Sequence, residues 1–415
     1  MGAVGVDVRS RVDGPRTDLD PARFFDDELP ARLDEHAPAI VPSLAFIRPR
    51  PLLVEIGSDS WTLTADDRRV VIERGARADA TAHVSLTREQ LADLADDQQT
   101  FMSLWASGAL DQRAGNIGHL LDWWLVLRAA LDGTPIYTPG SLSFADRDGR
   151  PLDLTRAFRP DDDRDEMRHF LETAGFVHIE GLFEPSEMDA ISADMDRAAP
   201  SYTEGDGRSW WARTAEGETR LVRMQGFDRE SERARALTDD TRFLALASIA
   251  GVGHRFGTKR ANNRIEALFK PIGVTEGISD IPWHKDCGIG RHSYECCGLT
   301  VGISVTGADA TSGQLWVLAG SHRALVWSGI RQPDLDLPEV PLPTRTGDVT
   351  LHLSCTMHMA QPPVERERRV LYSGFGLPPL AWADADADAL AAGRARLGAV
   401  REGAPLTVLD RHFKS

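Results

Sequence analysis

The stretch Ile281–Gly288, IPWHKDCG, sets a histidine and an aspartate two residues apart behind a proline and a tryptophan. On an extended segment, positions i and i+2 share a face, so His284 and Asp286 can reach one ion while Trp283 and Lys285 point away. The spacing permits chelation without establishing it, and a third ligand is required. The candidates stand in GDVTLHLSCTMHMAQPPVERERRVLYSGF (Gly347–Phe375), where His352 lies in a strand pattern and His358 in the segment after it. Two imidazoles and one carboxylate on one side of an octahedral ion leave positions open and favour non-heme Fe(II). Zinc is the weaker occupant, because structural zinc is usually closed by four protein ligands and the cysteines here lack paired spacing.

Around this stretch the chain is rich in strand patterns: RIEALFK (Arg264–Lys270), CGLTVGISVT (Cys297–Thr306), GQLWVLAGS (Gly313–Ser321), DVTLHLSC (Asp348–Cys355) and RRVLYSGFG (Arg368–Gly376). Two helices precede them, RDEMRHFLETAGF from Arg164 and EPSEMDAISADMDRAA from Glu184, with a strand, FVHIEGLF, between. Pro185 suits the first turn of the second helix. Helices followed by many strands predict an α+β domain with a barrel or sandwich core. Of Arg368 and Arg369, adjacent on one strand, one must face inward. A buried guanidinium binds a carboxylate through two parallel bonds, which lysine cannot imitate. An inward arginine beside an iron site predicts an anionic cosubstrate.

The amino-terminal half has a different texture. A helical pattern spans Pro21–Leu33, and Pro51–Gly75 reads as three short strands broken by turn residues. A fourth strand follows, then a helix capped by Thr87 with Leu91, Leu94 and Ala95 on one face, then a last helix over Gly118–Leu131. From Thr134 to Arg164 no period is sustained. The domain reading is therefore residues 20–135, a linker at 136–160, and a second domain at 161–415.

Composition bounds the partners. The chain has 415 residues, 42% hydrophobic and 27% charged, with net charge −16. Such a balance repels phosphate backbones and anionic lipid surfaces, so nucleic acid is not expected as a partner. The longest apolar run, Leu120–Leu131, is interrupted by Asp122 and Arg128 and is too short to span a bilayer. An amino terminus without an apolar core and four cysteines without a framework (Cys287, Cys296, Cys297, Cys355) predict a reducing cytoplasmic location.

In order and spacing, WHKD, then SGQLWVLAGSHR (Ser312–Arg323), then the Gly347–Arg369 stretch resemble the phytanoyl-CoA dioxygenase family of Fe(II)- and 2-oxoglutarate-dependent oxygenases. HFLETAGFVHIEGLFEPSEMDAI (His169–Ile191) is similar to that family's opening helix, strand and helix, and the resemblance covers roughly Asp161–Leu377. It implies a double-stranded β-helix, also called a jelly roll or cupin barrel, with Fe(II), 2-oxoglutarate and O2. It implies His284, Asp286 and His358 as metal ligands, His358 being preferred to His352 for its distance from the Gly347–Asp348 turn. Arg369, eleven positions beyond His358, falls where the family's 2-oxoglutarate arginine stands, with Arg368 as the fallback. Lys270, in FKPIG, corresponds to a Lys-Pro element that helps hold the cosubstrate or lines the site. Lys285 stands where many members have glutamine, and Ala319 where PGSH has proline. Asp286 keeps the carboxylate that halogenating relatives replace, which favours hydroxylation.

Residues Arg23–Leu131 resemble the sterol carrier protein-2-like family through SWTLTADDRRVVIERG, ADATAHVSLTREQLADL and FMSLWASGALDQRAGNIGHLLDWWLVLRAAL. That resemblance implies either an apolar site for acyl-type ligands or a packing module. The expected activity is hydroxylation, or another oxidation, of a C–H bond in a small or lipid-like substrate, with release of succinate and CO2. A non-catalytic lipid- or small-molecule-binding protein on a cupin-like barrel is the alternative, and a zinc cupin enzyme is a third. His254, His292, His322 and His352, the pair Cys296 and Cys297, and Trp210, Trp211 and Trp283 read as structural or core residues.

Overall fold

The computed structural model describes residues 17–251, 253–256, 264–277, 279–287 and 298–377. His292, Cys296 and Cys297 lie outside the described residues. None of the described helices is long and apolar enough to cross a membrane.

The chain opens with a continuous helical run, Pro21–Glu35, whose middle turn widens to a π-helix at Phe24–Glu28; its last part, Leu29–Glu35, is α1. Helix α2 (Ala37–Ile47) follows, unannounced in sequence because Pro42 sits inside it. Strands β1 (Leu52–Ile56), β2 (Asp59–Ala65) and β3 (Val70–Arg74) form the expected meander. They join β4 (Ala82–Ser85) and β5 (Asp111–Ala114) in a sheet of order β3-β2-β1-β4-β5, with β1 and β4 parallel. Helix α3 (Arg88–Ala95) begins at the capping box of Thr87 and Gln90, α4 is Phe101–Ala106, and α5 is Ile117–Asp132. Asn116 caps the start of α5, and Gly133, at φ +70°, ends it in the left-handed region that glycine tolerates. Trp61, Trp123 and Trp124, each at most 1% exposed, anchor one apolar core in this half.

Helix α6 (Arg164–Ala174), β6 (Phe176–Ile179) and α7 (Pro185–Ala198) match the expected helix, strand and helix. Next come β7 (Ser209–Thr214), β8 (Thr219–Met224), β9 (Arg255–Phe256), β10 (Glu266–Lys270) and β11 (Val274–Glu276). After them stand β12 (Gly298–Ser304), β13 (Leu315–Leu318), β14 (Glu339–Leu342), β15 (Val349–Leu353), β16 (His358–Ala360) and β17 (Arg368–Gly376). The large sheet runs β11-β7-β8-β10-β17-β12-β15-β6, with β9 also on β17; the small sheet runs β14-β13-β16.

Period-2 alternation gives the large sheet two unlike faces. Leu299, Val301, Ile303, Leu351, Leu371 and Phe375 point one way and share a core with Met167, Phe170, Met188 and Ile191 of α6 and α7. Thr300, Gly302, Ser304, His352, Arg368 and Tyr372 point the other way. Gly347 makes the turn into β15: its φ is +89°, and a Cβ there would lie 2.0 Å from the Phe183 carbonyl oxygen. The neighbouring Asp348, 2% exposed, accepts bonds from the Gly181 and Arg345 N–H groups and contacts His178.

The two halves meet through the β13–β14 connection. Leu325 and Trp327 are part of the amino-terminal core, and the Trp327 indole donates to Asp122 of α5 at 3.1 Å. Ile330 packs on that core and donates its backbone N–H to the Trp283 carbonyl at 3.0 Å, one residue before His284. Its φ is +60°, a conformation costing a β-branched residue on the order of 1–3 kcal/mol and held here by the contacts on both sides.

Candidate metal centre

His284 and His358 face each other across a single antiparallel bridge, each backbone N–H donating to the other's carbonyl at 2.9 Å. Directly opposed residues present side chains to the same side, and the two rings lie 4.3 Å apart. His284 Nδ1 is 2.7 Å from the Pro282 carbonyl oxygen, and His358 Nδ1 is 2.9 Å from that of Thr356. A carbonyl can only accept, so both Nδ1 atoms carry the proton and both Nε2 lone pairs are left for a ligand.

Those lone pairs converge on Asp286. Its Oδ1 lies 3.5 Å from His284 Nε2 and 3.4 Å from His358 Nε2, and one donor atom from each of the three residues falls within 4.8 Å of the others. Cis ligands of a six-coordinate ion with bonds near 2.1 Å stand about 3 Å apart, so the three donors need only small adjustments to share one. The donor set fits an ion of the iron class, with the opposite positions open.

Asp286 is oriented by its other oxygen. Oδ2 accepts from Thr300 Oγ1 at 2.8 Å and from His352 Nε2 at 3.1 Å, and its backbone N–H donates to Ser354 O at 2.8 Å. Burial works against ionisation, but the surrounding His358, His284 and His352 imidazoles outweigh it and hold the carboxyl well below its usual range. Burial and the neighbouring His358 push His284 down, while burial takes His352 to about 4. His358 alone moves upward, the Asp286 charge overcoming burial. The cluster thus favours an ionised carboxylate beside neutral His284 and His352.

His352, read from sequence as structural, instead touches the carboxylate of the cluster. The signal was present in VTLHL: His352 lies two positions from Thr350 on the polar face of β15 and pairs with Thr300 on β12. Thr300 was missed as well, although Thr300, Gly302 and Ser304 alternate with Leu299, Val301 and Ile303 in the sequence. His322 behaves as a buried strut, its Nε2 3.0 Å from Glu172 O and its pKa lowered by burial to about 3.

The structure separates the two arginines onto opposite faces of β17. Arg369, the first choice from spacing, points to the helix side, where it bonds Ser192 and Asp196 of α7 and lies over the Phe269 ring at 5.0 Å. Arg368, 4% exposed, lies on the polar face, bonding Gly313 O and standing 3.5 Å from the Tyr372 hydroxyl. Its register partner is Lys270, also buried, whose Nζ donates to Ser279 O and Asp280. Burial lowers the Lys270 pKa to about 8 against the Asp280 charge, and the Arg368 charge adds to the lowering. One inward cation was expected, and the register places two side by side.

A search of curated proteins finds no match. Among solved structures, the epimerase SnoN in complex with Fe3+, alpha ketoglutarate and nogalamycin RO is 18% identical, with a TM-score of 0.41 over 53% of this chain and 89% of that one. AviO1 from Streptomyces viridochromogenes Tue57 is 19% identical, with a TM-score of 0.39 over 52% and 96% of the two chains. HygX from Streptomyces hygroscopicus, with nickel and 2-oxoglutarate bound, is 19% identical, with a TM-score of 0.38 over 51% and 86%. Residues 171–369, which carry the three clustered donors, Lys270 and both arginines, match the family model of phytanoyl-CoA dioxygenase (PhyH).

Proposed function

We propose that the protein is an Fe(II)- and 2-oxoglutarate-dependent oxygenase that hydroxylates or otherwise oxidises a C–H bond of a small or lipid-like substrate. The PhyH family uses Fe(II), 2-oxoglutarate and O2. One observation carries the reading: two histidines with Nδ1 tied to carbonyls and Nε2 turned toward one carboxylate oxygen. In this reading His284, Asp286 and His358 hold the iron. Arg368, rather than Arg369, receives the far carboxylate of 2-oxoglutarate, with Lys270 beside it. The row from Arg368 through Tyr372 toward Thr300 supplies a cationic end and a metal end, as a dicarboxylate able to chelate requires.

The bound iron, cosubstrate and O2 supply the oxidising power, and the protein supplies position and dryness. Thr300 and His352 hold the Asp286 carboxylate in one orientation. Pro282 and Thr356 fix both ligand tautomers. The retained Asp286 occupies the position that a halide would need, which favours hydroxylation over halogenation. We assign residues 161–415 to a double-stranded β-helix oxygenase domain, 136–160 to a linker and 20–135 to a sterol carrier protein-2-like domain that takes an apolar substrate.

The test is anaerobic titration with Fe(II) and 2-oxoglutarate. A weak visible charge-transfer band in the wild type that is lost in His284→Ala, with the variant still folded, is the expected result. No band in folded, iron-loaded wild type would remove the oxygenase reading and leave a small-molecule-binding protein in its place.

A further inference from the structure

Cys287 follows Asp286 directly, and its Sγ lies 3.8 Å from that of Cys355, a residue 68 positions away that follows Ser354. Ser354 is the residue whose carbonyl accepts the Asp286 N–H. The pair therefore ties together the two backbones that carry the metal-site residues, His284 and Asp286 on one side, His352 and His358 on the other. Cys287 is partly exposed and Cys355 fully buried. One sulfur can meet a solvent-borne oxidant, and the other waits behind it.

We propose that Cys287 and Cys355 form a reversible disulfide that disables the metal centre. The oxidant is a peroxide. The Cys287 sulfur attacks the peroxide O–O bond, giving a sulfenic acid and releasing one water from hydrogen peroxide. The Cys355 sulfur then attacks the Cys287 sulfur, the S–O bond breaks, and a second water leaves. Two thiols and one hydrogen peroxide become one disulfide and two waters, and a dithiol reductant reverses the step.

Closing the bond requires the sulfurs to approach from 3.8 Å to about 2.05 Å. Shared equally, each sulfur moves about 0.9 Å, and whatever the cysteine side-chain torsions do not absorb falls on the backbone next to Asp286, in a ligand constellation that tolerates roughly 0.5 Å. A backbone shift at Cys287 draws the adjacent Asp286 off its distances to His284 and His358 and its bonds to Thr300 and His352. The formation of the bond rests on the sulfur geometry alone, and its effect on metal binding rests on the function proposed above.

The experiment treats the full, metal-free chain with stoichiometric hydrogen peroxide and maps its peptides by mass spectrometry. It then measures Co(II) affinity by absorption titration before and after dithiothreitol. The expected result is a Cys287–Cys355 cross-linked peptide, Co(II) affinity reduced at least about tenfold, and recovery of both states on reduction. Cys355→Ser should bind Co(II) like reduced wild type and show no loss on oxidation; Cys287→Ser serves if that variant does not fold. Pairing of either cysteine with Cys296 or Cys297 instead, oxidation of Cys287 without a cross-link, or a cross-linked protein that binds Co(II) as tightly as the reduced form would each overturn the proposal. Failure of the reduced wild type to bind Co(II) would overturn the proposed function and the gating with it, while the peptide map still decides the pairing.

Discussion

The two faces of the large sheet are built from the same strands and have opposite properties. On the helix side, Leu299, Ile303, Leu371 and Phe375 disappear into a core closed by α6 and α7. On the other side the same strands present Thr300, Ser304, Arg368 and His352, polar groups whose burial is offset by specific partners. Burial on the first face is satisfied by almost any apolar side chain of suitable volume, whereas each group on the second needs one partner in one place. Arg368 and Arg369 condense the contrast into a single peptide bond, since one serves the polar face and the other fastens β17 to a helix.

Substitutions on the two faces should separate stability from ligand binding. The largest effect belongs to Phe375→Ala, which removes a 2%-exposed ring packed against Phe243 and Phe256. Denaturant unfolding should show a loss of about 3–5 kcal/mol, with metal affinity retained while the chain remains folded. A smaller loss would mean that the helix face can collapse around the gap. Next is Arg368→Met, for which isothermal titration should find 2-oxoglutarate binding weakened about 10- to 100-fold, the worth of a charged hydrogen-bonded pair. Arg369→Met should leave that affinity unchanged and cost under about 1 kcal/mol of stability, because its Asp196 partner is largely exposed. Equal losses in the two variants would erase the distinction between the faces.

His352→Leu tests orientation without removing a proposed ligand. Metal affinity should fall about tenfold, at the lower end for outer partners of ligands, with no new cavity to destabilise the fold. The smallest effect concerns the junction of the halves. Burial raises the Asp122 pKa to about 7, against the Trp327 hydrogen bond and the Arg50 charge. The unfolded chain ionises this carboxyl near its ordinary value of 3.8, so its stabilising contribution is full below about pH 4 and is lost as pH rises through 7. Thermal or denaturant unfolding of Asp122→Asn should lack that slope, so the two stability profiles diverge as pH rises from 4 to 8. Parallel profiles would show that the carboxyl is solvated in the folded protein.

How much of this was readable beforehand follows from the range of the interactions. The HxD pair, the capping box at Thr87 and the polar and apolar alternation of CGLTVGISVT are local, and the capping box and the alternating strand appear where their patterns predict. Alternation also requires Arg368 and Arg369 to part, but only the pairing of β17 with β10 and β12 decides which faces inward. The β7–β8 hairpin escaped notice because a bulge between Trp210 and Trp211 breaks its period. Three-residue β16 is too short to show a period at all. The approach of Cys287 to Cys355 and of Asp122 to Trp327 depends on tertiary closure, which no spacing along the chain encodes.

The strained turn at Ile330 carries a practical consequence. Its side chain is held by the amino-terminal core and its amide by the residue preceding His284, so the β13–β14 connection acts as a splint between the halves. A fragment beginning near residue 161 would lose the wall against which the splint is braced. Leu325 and Trp327 would be left bare to water, and the left-handed turn would be free to relax. Such a fragment would be a poor stand-in for the whole chain, because part of the rigidity around His284 comes from residues more than 150 positions earlier in the chain.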